Sequence, residues 1–125
     1  MRDFHLPGRS AVYATNGMCA TSHPLAATAA LDILKSGGNA VDAAIAGAVL
    51  LGICEPQMTG LGGDMFALIQ KDPSADVVAL NGSGRAPQAA NATALRAKGL
   101  STIPLHSAEA ITVPGAVDGF CRMAE

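Results

Sequence analysis

Apolar positions along the chain fall into helix-like and strand-like blocks, each bounded by Gly, Pro or Asn. "AVYAT" and "MCAT" are strand-compatible runs on either side of Asn16-Gly17. Asn-Gly suits the positive φ angles of a type I′ turn, so this stretch predicts a hairpin. "TSHPLAATAALDILKSGG" predicts a helix, with Ser22 or His23 as cap, Pro24 in the first turn and Gly37-Gly38 as its close. Its apolar stripe, Leu25, Ala29 and Leu31 extended by Ile33 and Leu34, is interrupted by Thr28 and Asp32.

Asn39 predicts the cap of a second helix, and Asp42 sits near the positive end of its dipole. From Ala43 to Leu51 every residue is apolar or Gly. A helix with no polar face is expected to be buried on every side. Gly47 and the alanines would then admit close neighbours, against a helix-propensity penalty of about 1 kcal/mol for mid-helix Gly. Glu55-Pro56 ends the helix, because a residue before proline avoids helical backbone. "MFALIQ" and "VVALNG" predict strands joined by the turn "KDPSAD". "NATALRAKG" predicts a short amphipathic helix capped by Asn91 and stopped by Gly99. "AITV" reads as strand-like, and a last helix begins near Ala116, after Pro114-Gly115. That helix reaches Glu125 without a Gly, Asn or Pro stop, so residues 1–125 read as a truncated segment. The class is α/β (α+β).

Composition narrows the picture. Half of the 125 residues are apolar, only 3% are aromatic and Trp is absent, so the core is expected to rest on Ala, Val, Leu and Ile. The net charge of −2 and the lack of a basic stripe give nucleic-acid binding little support. The uncharged run from Ala43 to Cys54 is shorter than the roughly 20 residues of a membrane span. "MRDFHLPGRSAVYATNG" has no continuous apolar stretch of the kind a secretory signal carries. Cys19, Cys54 and Cys121 are odd in number and form no C-x-x-C, which reads as buried free thiols in a reducing compartment. The expected location is cytoplasmic, with no membrane partner.

Candidate chemistry is sparse. Gly60-x-Gly62-Gly63 lacks the Lys of a phosphate loop and lies between a helix and a strand, the reverse of a dinucleotide fingerprint. A structural corner with backbone amides free to donate is the better reading. "NGSGR" places Asn81 and Arg85 where a nucleophile elbow around Ser83 needs glycines, so Ser83 reads as a turn residue or a polar contact to a ligand. Cys19 and His23 are close in sequence, but His23 already serves as a helix start. His5, His23 and His106 are scattered, which disfavours a metal site. Arg85 follows a Gly-rich turn at a strand end. There a guanidinium suits a substrate carboxylate, and an ordinary surface arginine stands as the other reading.

The motifs "GGNAVDAAIA", "EPQMTGLGGDMFAL", "LNGSGRAP" and "ITVPGAVDGF" follow one another in an order that resembles the gamma-glutamyltranspeptidase family, the glutathione hydrolases and related acylases. "GMCATSHPLAATAALDIL" also resembles that family's N-terminal hairpin and helix. The likeness runs from about Ala11 onward and points to the N-terminal part of the large subunit. It implies a partial αββα sandwich of the N-terminal-nucleophile hydrolase type. The precursor of such an enzyme cleaves itself, and a threonine becomes the new N-terminus of a small subunit. Its hydroxyl attacks an acyl carbonyl with its own α-amino group as base, and no metal or organic cofactor takes part. That threonine lies downstream of this chain, so no catalytic residue is expected among Thr15, Thr21, Thr28, Thr59, Thr93, Thr102 and Thr112. The implied partners are a small-molecule amide, the rest of the large subunit and the small subunit.

Within that resemblance the chain departs from the gamma-glutamyl pattern. Those members carry an arginine three residues before Ala-Pro, which binds the substrate's α-carboxylate. Alignment on Ala86-Pro87 puts Ser83 there and Arg85 two positions later. Asp64 stands where many transpeptidases have a glycine. Both features resemble the cytosolic acylase or amidohydrolase branch. Ser83 and Arg85 are the substrate-binding candidates. The enzyme expected is one that cleaves or transfers the acyl group of a small amide, with the chain alone inactive. A non-catalytic scaffold fragment is the alternative from another class.

Overall fold

The structure, a computed structural model, describes residues 10–125. His5 and the first residues of the stretch read as lacking a secretory signal lie outside the described residues. The first two helices are set by their ends. In α1 (Pro24–Lys35) the imidazole Nδ1 of His23 accepts the Leu25 N–H at 3.2 Å, and Pro24 fills a position that needs no donor. At the other end Gly37 takes φ +91, so its N–H turns back on Leu34 O at 3.1 Å and that of Gly38 on Ile33 O at 3.0 Å.

Asn39 restarts the chain as α2 (Ala40–Cys54). Its Oδ1 accepts from Val41 N at 2.8 Å and Asp42 N at 3.0 Å, while Asp42 answers through the Asn39 N–H. The Ser22 hydroxyl donates to Glu55 Oε2 at 2.8 Å, which ties the start of α1 to the end of α2. The two helices therefore run antiparallel, packed along a seam of Ala26, Ala30, Ala43 and Gly47.

A Cβ on Gly47 would lie 3.6 Å from Ala26 O and 3.7 Å from Ala30 Cβ, ordinary contact distances. The seam accommodates alanine there, contrary to the expectation that close packing demands the glycine. Nor is α2 buried on every side. One face meets α1 and a second borders a groove, while Val49 and Ile53 (74% exposed) point outward because no described element lies against them.

Strands β1 (Met65–Ile69) and β2 (Val78–Gly82) pair antiparallel, with Met65 opposite Gly82 and Ile69 opposite Val78. In the connecting turn Asp72 accepts both the backbone N–H and the hydroxyl of Ser74, bonds that hold its carboxyl below the ordinary range. Met65, Ala67 and Ile69 are half-buried on one face, while Phe66 and Leu68 stand 65% and 78% exposed on the other. A short α3 (Ala92–Ala97) is capped by Asn91 and closed by Gly99 at φ +83. One 3₁₀ turn (Ala108–Ala110) precedes α4 (Ala116–Ala124).

Other expectations change. No hairpin forms at Asn16-Gly17: no non-glycine residue among those described has a positive φ, so Asn16 cannot occupy a type I′ turn. "AITV" is no ladder strand, since Ala110 ends the 3₁₀ turn and Ile111–Val113 make a single cross-chain backbone bond, Val113 N–H to Arg85 O at 2.8 Å. Among the described residues the buried apolar side chains are alanines alone, Ala26, Ala30, Ala43 and Ala116. None of the cysteines is buried: Cys19 and Cys54 are half-buried and Cys121 is exposed. Among the described residues no helix is long and apolar enough to cross a membrane.

Candidate functional site

The end of β2 turns off the sheet through a side-chain bond. Asn81 Oδ1 accepts the Ser83 N–H at 3.0 Å, and Gly84 continues the bend at φ +72. Ser83 comes out half-buried, its hydroxyl 3.4 Å from Gly84 O, and Arg85 comes out exposed. The Thr112–Gly115 segment lies beside this bend. Val113 N–H holds Arg85 O, and a Cβ on Gly84 would run into the Val113 carbonyl. A Cβ on Gly115 would meet Gly82 O and lie 2.6 Å from Gly84 N, closer than side chains approach.

A third segment pins the turn from its other side. Gly63 O accepts the Gly115 N–H at 3.0 Å and the Ala116 N–H at 3.1 Å. These donors open α4, and the loop carbonyl satisfies them where the helix has no partner to offer. Gly115, Ala116 and Gly119 are buried, and the thioether arm of Met65 lies where a Cβ on Gly119 would stand. Three stretches remote in sequence thus share one corner.

The Gly60–Gly63 loop is a corner, as expected, and it joins the other segments through an acceptor. The N–H of Gly63 bonds to Gly60 O at 3.2 Å, and the atom that joins the corner is the Gly63 carbonyl, an acceptor. His23 has its Nδ1 committed to a helix cap, which keeps it from serving Cys19 as a base through that atom. Ser83 lacks the strand–turn–helix setting of an elbow nucleophile, since extended chain follows it. Ser83 and Arg85 lie two residues apart on the same bend. Arg122 is held by Asp118 at 2.7 Å, which raises its pKa, whereas no acidic side chain among the described residues pairs with Arg85.

A groove of about 590 Å³ runs between α2, the loop before β1, β1 itself and α4. Ala44, Ile45, Ala48, Phe120 and Met123 make it apolar, and Asp64 is its sole ionisable lining residue. Neither Ser83 nor Arg85 lines it. The sequence marked Gly63 as a structural corner but not its partners Val113 and Gly115. The available signal was the spacing of Gly115 and Gly119, which puts two hydrogen side chains on one helix face.

The described residues form an α/β segment with Ser83 and Arg85 on the bend that leaves β2. The chain belongs to the gamma-glutamyltranspeptidase family, whose sequence profile matches residues 26–125. It is 46% identical over 110 residues to the glutathione hydrolase-like YwrD proenzyme of Bacillus subtilis (strain 168), covering 87% of this chain and 21% of that one. Cephalosporin acylase from Bacillus halodurans superposes with a TM-score of 0.83 at 48% identity, covering 98% of this chain and 23% of the acylase. Helicobacter pylori gamma-glutamyltranspeptidase gives a TM-score of 0.77 at 32% identity, covering 91% and 33%. The chain thus spans about a fifth of the curated relative's length. The family these names describe is one of enzymes that cleave or transfer amide-linked groups.

Proposed function

We propose that this chain is the N-terminal segment of a precursor that matures into a cytoplasmic N-terminal-nucleophile hydrolase with an αββα sandwich. The mature enzyme cleaves or transfers the acyl group of a small amide. A downstream threonine, freed as the N-terminus of a small subunit, attacks the acyl carbonyl while its α-amino group takes the proton. Water or an amine then resolves the acyl-enzyme. The rest of the large subunit and the small subunit are the partners that cover Val49 and Ile53 on α2 and Phe66 and Leu68 on β1.

Arg85 is the substrate contact of this segment, offering a guanidinium fork to a substrate carboxylate from the rim of the corner. Ser83 contributes a hydroxyl and no charge. The observation that carries this reading is the family match together with an exposed Arg85, without an acidic partner among the described residues, at a backbone-pinned strand end. Identities of 48% to the cephalosporin acylase and 46% to the glutathione hydrolase-like proenzyme support an amide-cleaving enzyme, and Ser83 in the place of the gamma-glutamyl pattern's arginine favours an amide other than a gamma-glutamyl one.

The test compares the complete precursor, after self-cleavage, with residues 1–125 alone, on a gamma-glutamyl anilide and on a neutral acyl anilide. Turnover is expected from the mature protein and none from the segment. Ser83→Arg is expected to raise the preference for the gamma-glutamyl substrate. Clean product release by the isolated segment would overturn the assignment of the nucleophile to the missing part.

A further inference from the structure

We infer that Gly115 is a positioning residue for the Ser83–Arg85 rim, acting through the Thr112–Ala116 turn. The inference rests on the role given to Arg85 above and adds the device that sets its place. The rim has no helix or ladder of its own to hold it. Beyond β2, its cross-chain backbone bond is the one from Val113 N–H to Arg85 O at 2.8 Å. What brings Val113 to that carbonyl is the approach of Gly115, two residues further on. Gly115 sits where any Cβ would overlap Gly82 O and Gly84 N, so the two backbones close to a distance that glycine alone permits.

The turn also has no room to retreat. Gly63 O holds Gly115 N–H and Ala116 N–H from the far side, and Gly119, one turn along α4, has the Met65 side chain where a Cβ would stand. A side chain at residue 115 must therefore move the softer partner. That partner is the Ser83–Arg85 bend beyond β2, with Gly84 in left-handed backbone at φ +72. Displacing the bend by a few tenths of an ångström at Gly84 is amplified along the arginine side chain. Misplacement of a binding group by about 1 Å is worth up to roughly a hundredfold in rate or affinity. The loss falls on substrates that Arg85 contacts and spares those it does not.

The experiment uses the complete, matured enzyme with Gly115→Ala, Val113→Pro, Arg85→Ala and, as a control in the α1–α2 seam, Gly47→Ala. Val113→Pro deletes the N–H given to Arg85 while losing a side chain that is already 54% exposed, and keeps the test alive if Gly115→Ala does not fold. KM and kcat are measured on a carboxylate-bearing anilide and a neutral one. Amide hydrogen exchange is followed at Val113 and Ala116 in the wild type and in Gly115→Ala. Gly115→Ala and Val113→Pro are expected to raise KM for the carboxylate substrate about tenfold, with kcat and the neutral substrate little changed. Gly115→Ala is also expected to speed exchange at Val113, and Gly47→Ala to do neither. A KM that rises equally on both substrates, or stays put while Arg85→Ala acts selectively, overturns the positioning role and leaves Arg85 as a contact. If Arg85→Ala is not selective, the carboxylate reading falls instead. The positioning role then stands only if Gly115→Ala still deprotects Val113 and changes KM for either amide, and unchanged exchange removes it.

Discussion

The α1–α2 seam and the corner joining β2 to α4 are both built from the smallest residues, yet they use glycine in opposite ways. In the seam, Gly47 faces Ala26 and Ala30 at distances an alanine methyl would fill without displacement. In the corner, backbone oxygens and nitrogens occupy the places where the side chains of Gly84 and Gly115 would be. One set of small residues packs two helices that cap themselves. The other allows three remote stretches to meet through main-chain atoms, and it carries the candidate substrate contact. Closeness of packing does not make a glycine necessary; what lies at its missing Cβ does.

The largest expected effect of a single methyl follows from that contrast. Gly84→Ala combines left-handed backbone with a collision against the Val113 carbonyl. It should destabilise the complete protein by about 3 kcal/mol, read as a fall in the urea midpoint. Next, His23→Ala removes the cap of α1 and should cost about 1 kcal/mol, with Asp at the same position restoring most of it. Gly47→Ala should change sign and stabilise by up to about 1 kcal/mol, seen as a raised Tm. A destabilising Gly47→Ala would erase the distinction between the two regions.

The smallest expected effect depends on pH. The carboxyl of Asp72 titrates below its ordinary 3.8, chiefly because the Ser74 hydroxyl and N–H bond to the ionised form. A depressed carboxyl contributes stability that is fully present above its unfolded value and is lost as the pH falls through the folded one. Asp72→Asn should therefore lower stability slightly at neutral pH and converge on the wild type in acid, giving a flatter pH–stability curve, measured by urea unfolding across that range.

What was legible in the sequence was what neighbouring residues decide among themselves. His23, Asn39 and Asn91 reach backbone donors two or three residues on, and Gly37 and Gly99 close their helices within one turn. The β1–β2 pair followed from two apolar runs and a turn residue, Asp72, that bonds locally. The failures were all questions of what lies opposite. Asn16-Gly17 needed two strands to pair, α2 needed layers on its outer face, and the cysteines needed elements over them. Ser83 and Arg85 were legible as candidates because a glycine-rich strand end marks itself. The grip of Val113 on Arg85, and of Gly63 on Gly115, joins residues far apart in sequence through main-chain atoms that every residue possesses, so no residue type announces it.

The role of Arg85 comes down to a single ratio. In the complete, matured enzyme, kcat/KM for a carboxylate-bearing amide is divided by kcat/KM for its neutral counterpart, in wild type and in Arg85→Ala. A fall of about tenfold or more in that ratio on removing the guanidinium is expected, since one charge-assisted contact desolvated by substrate is worth that much. An unchanged ratio, with both substrates still turned over, would contradict the assignment of Arg85 as the substrate contact of this segment.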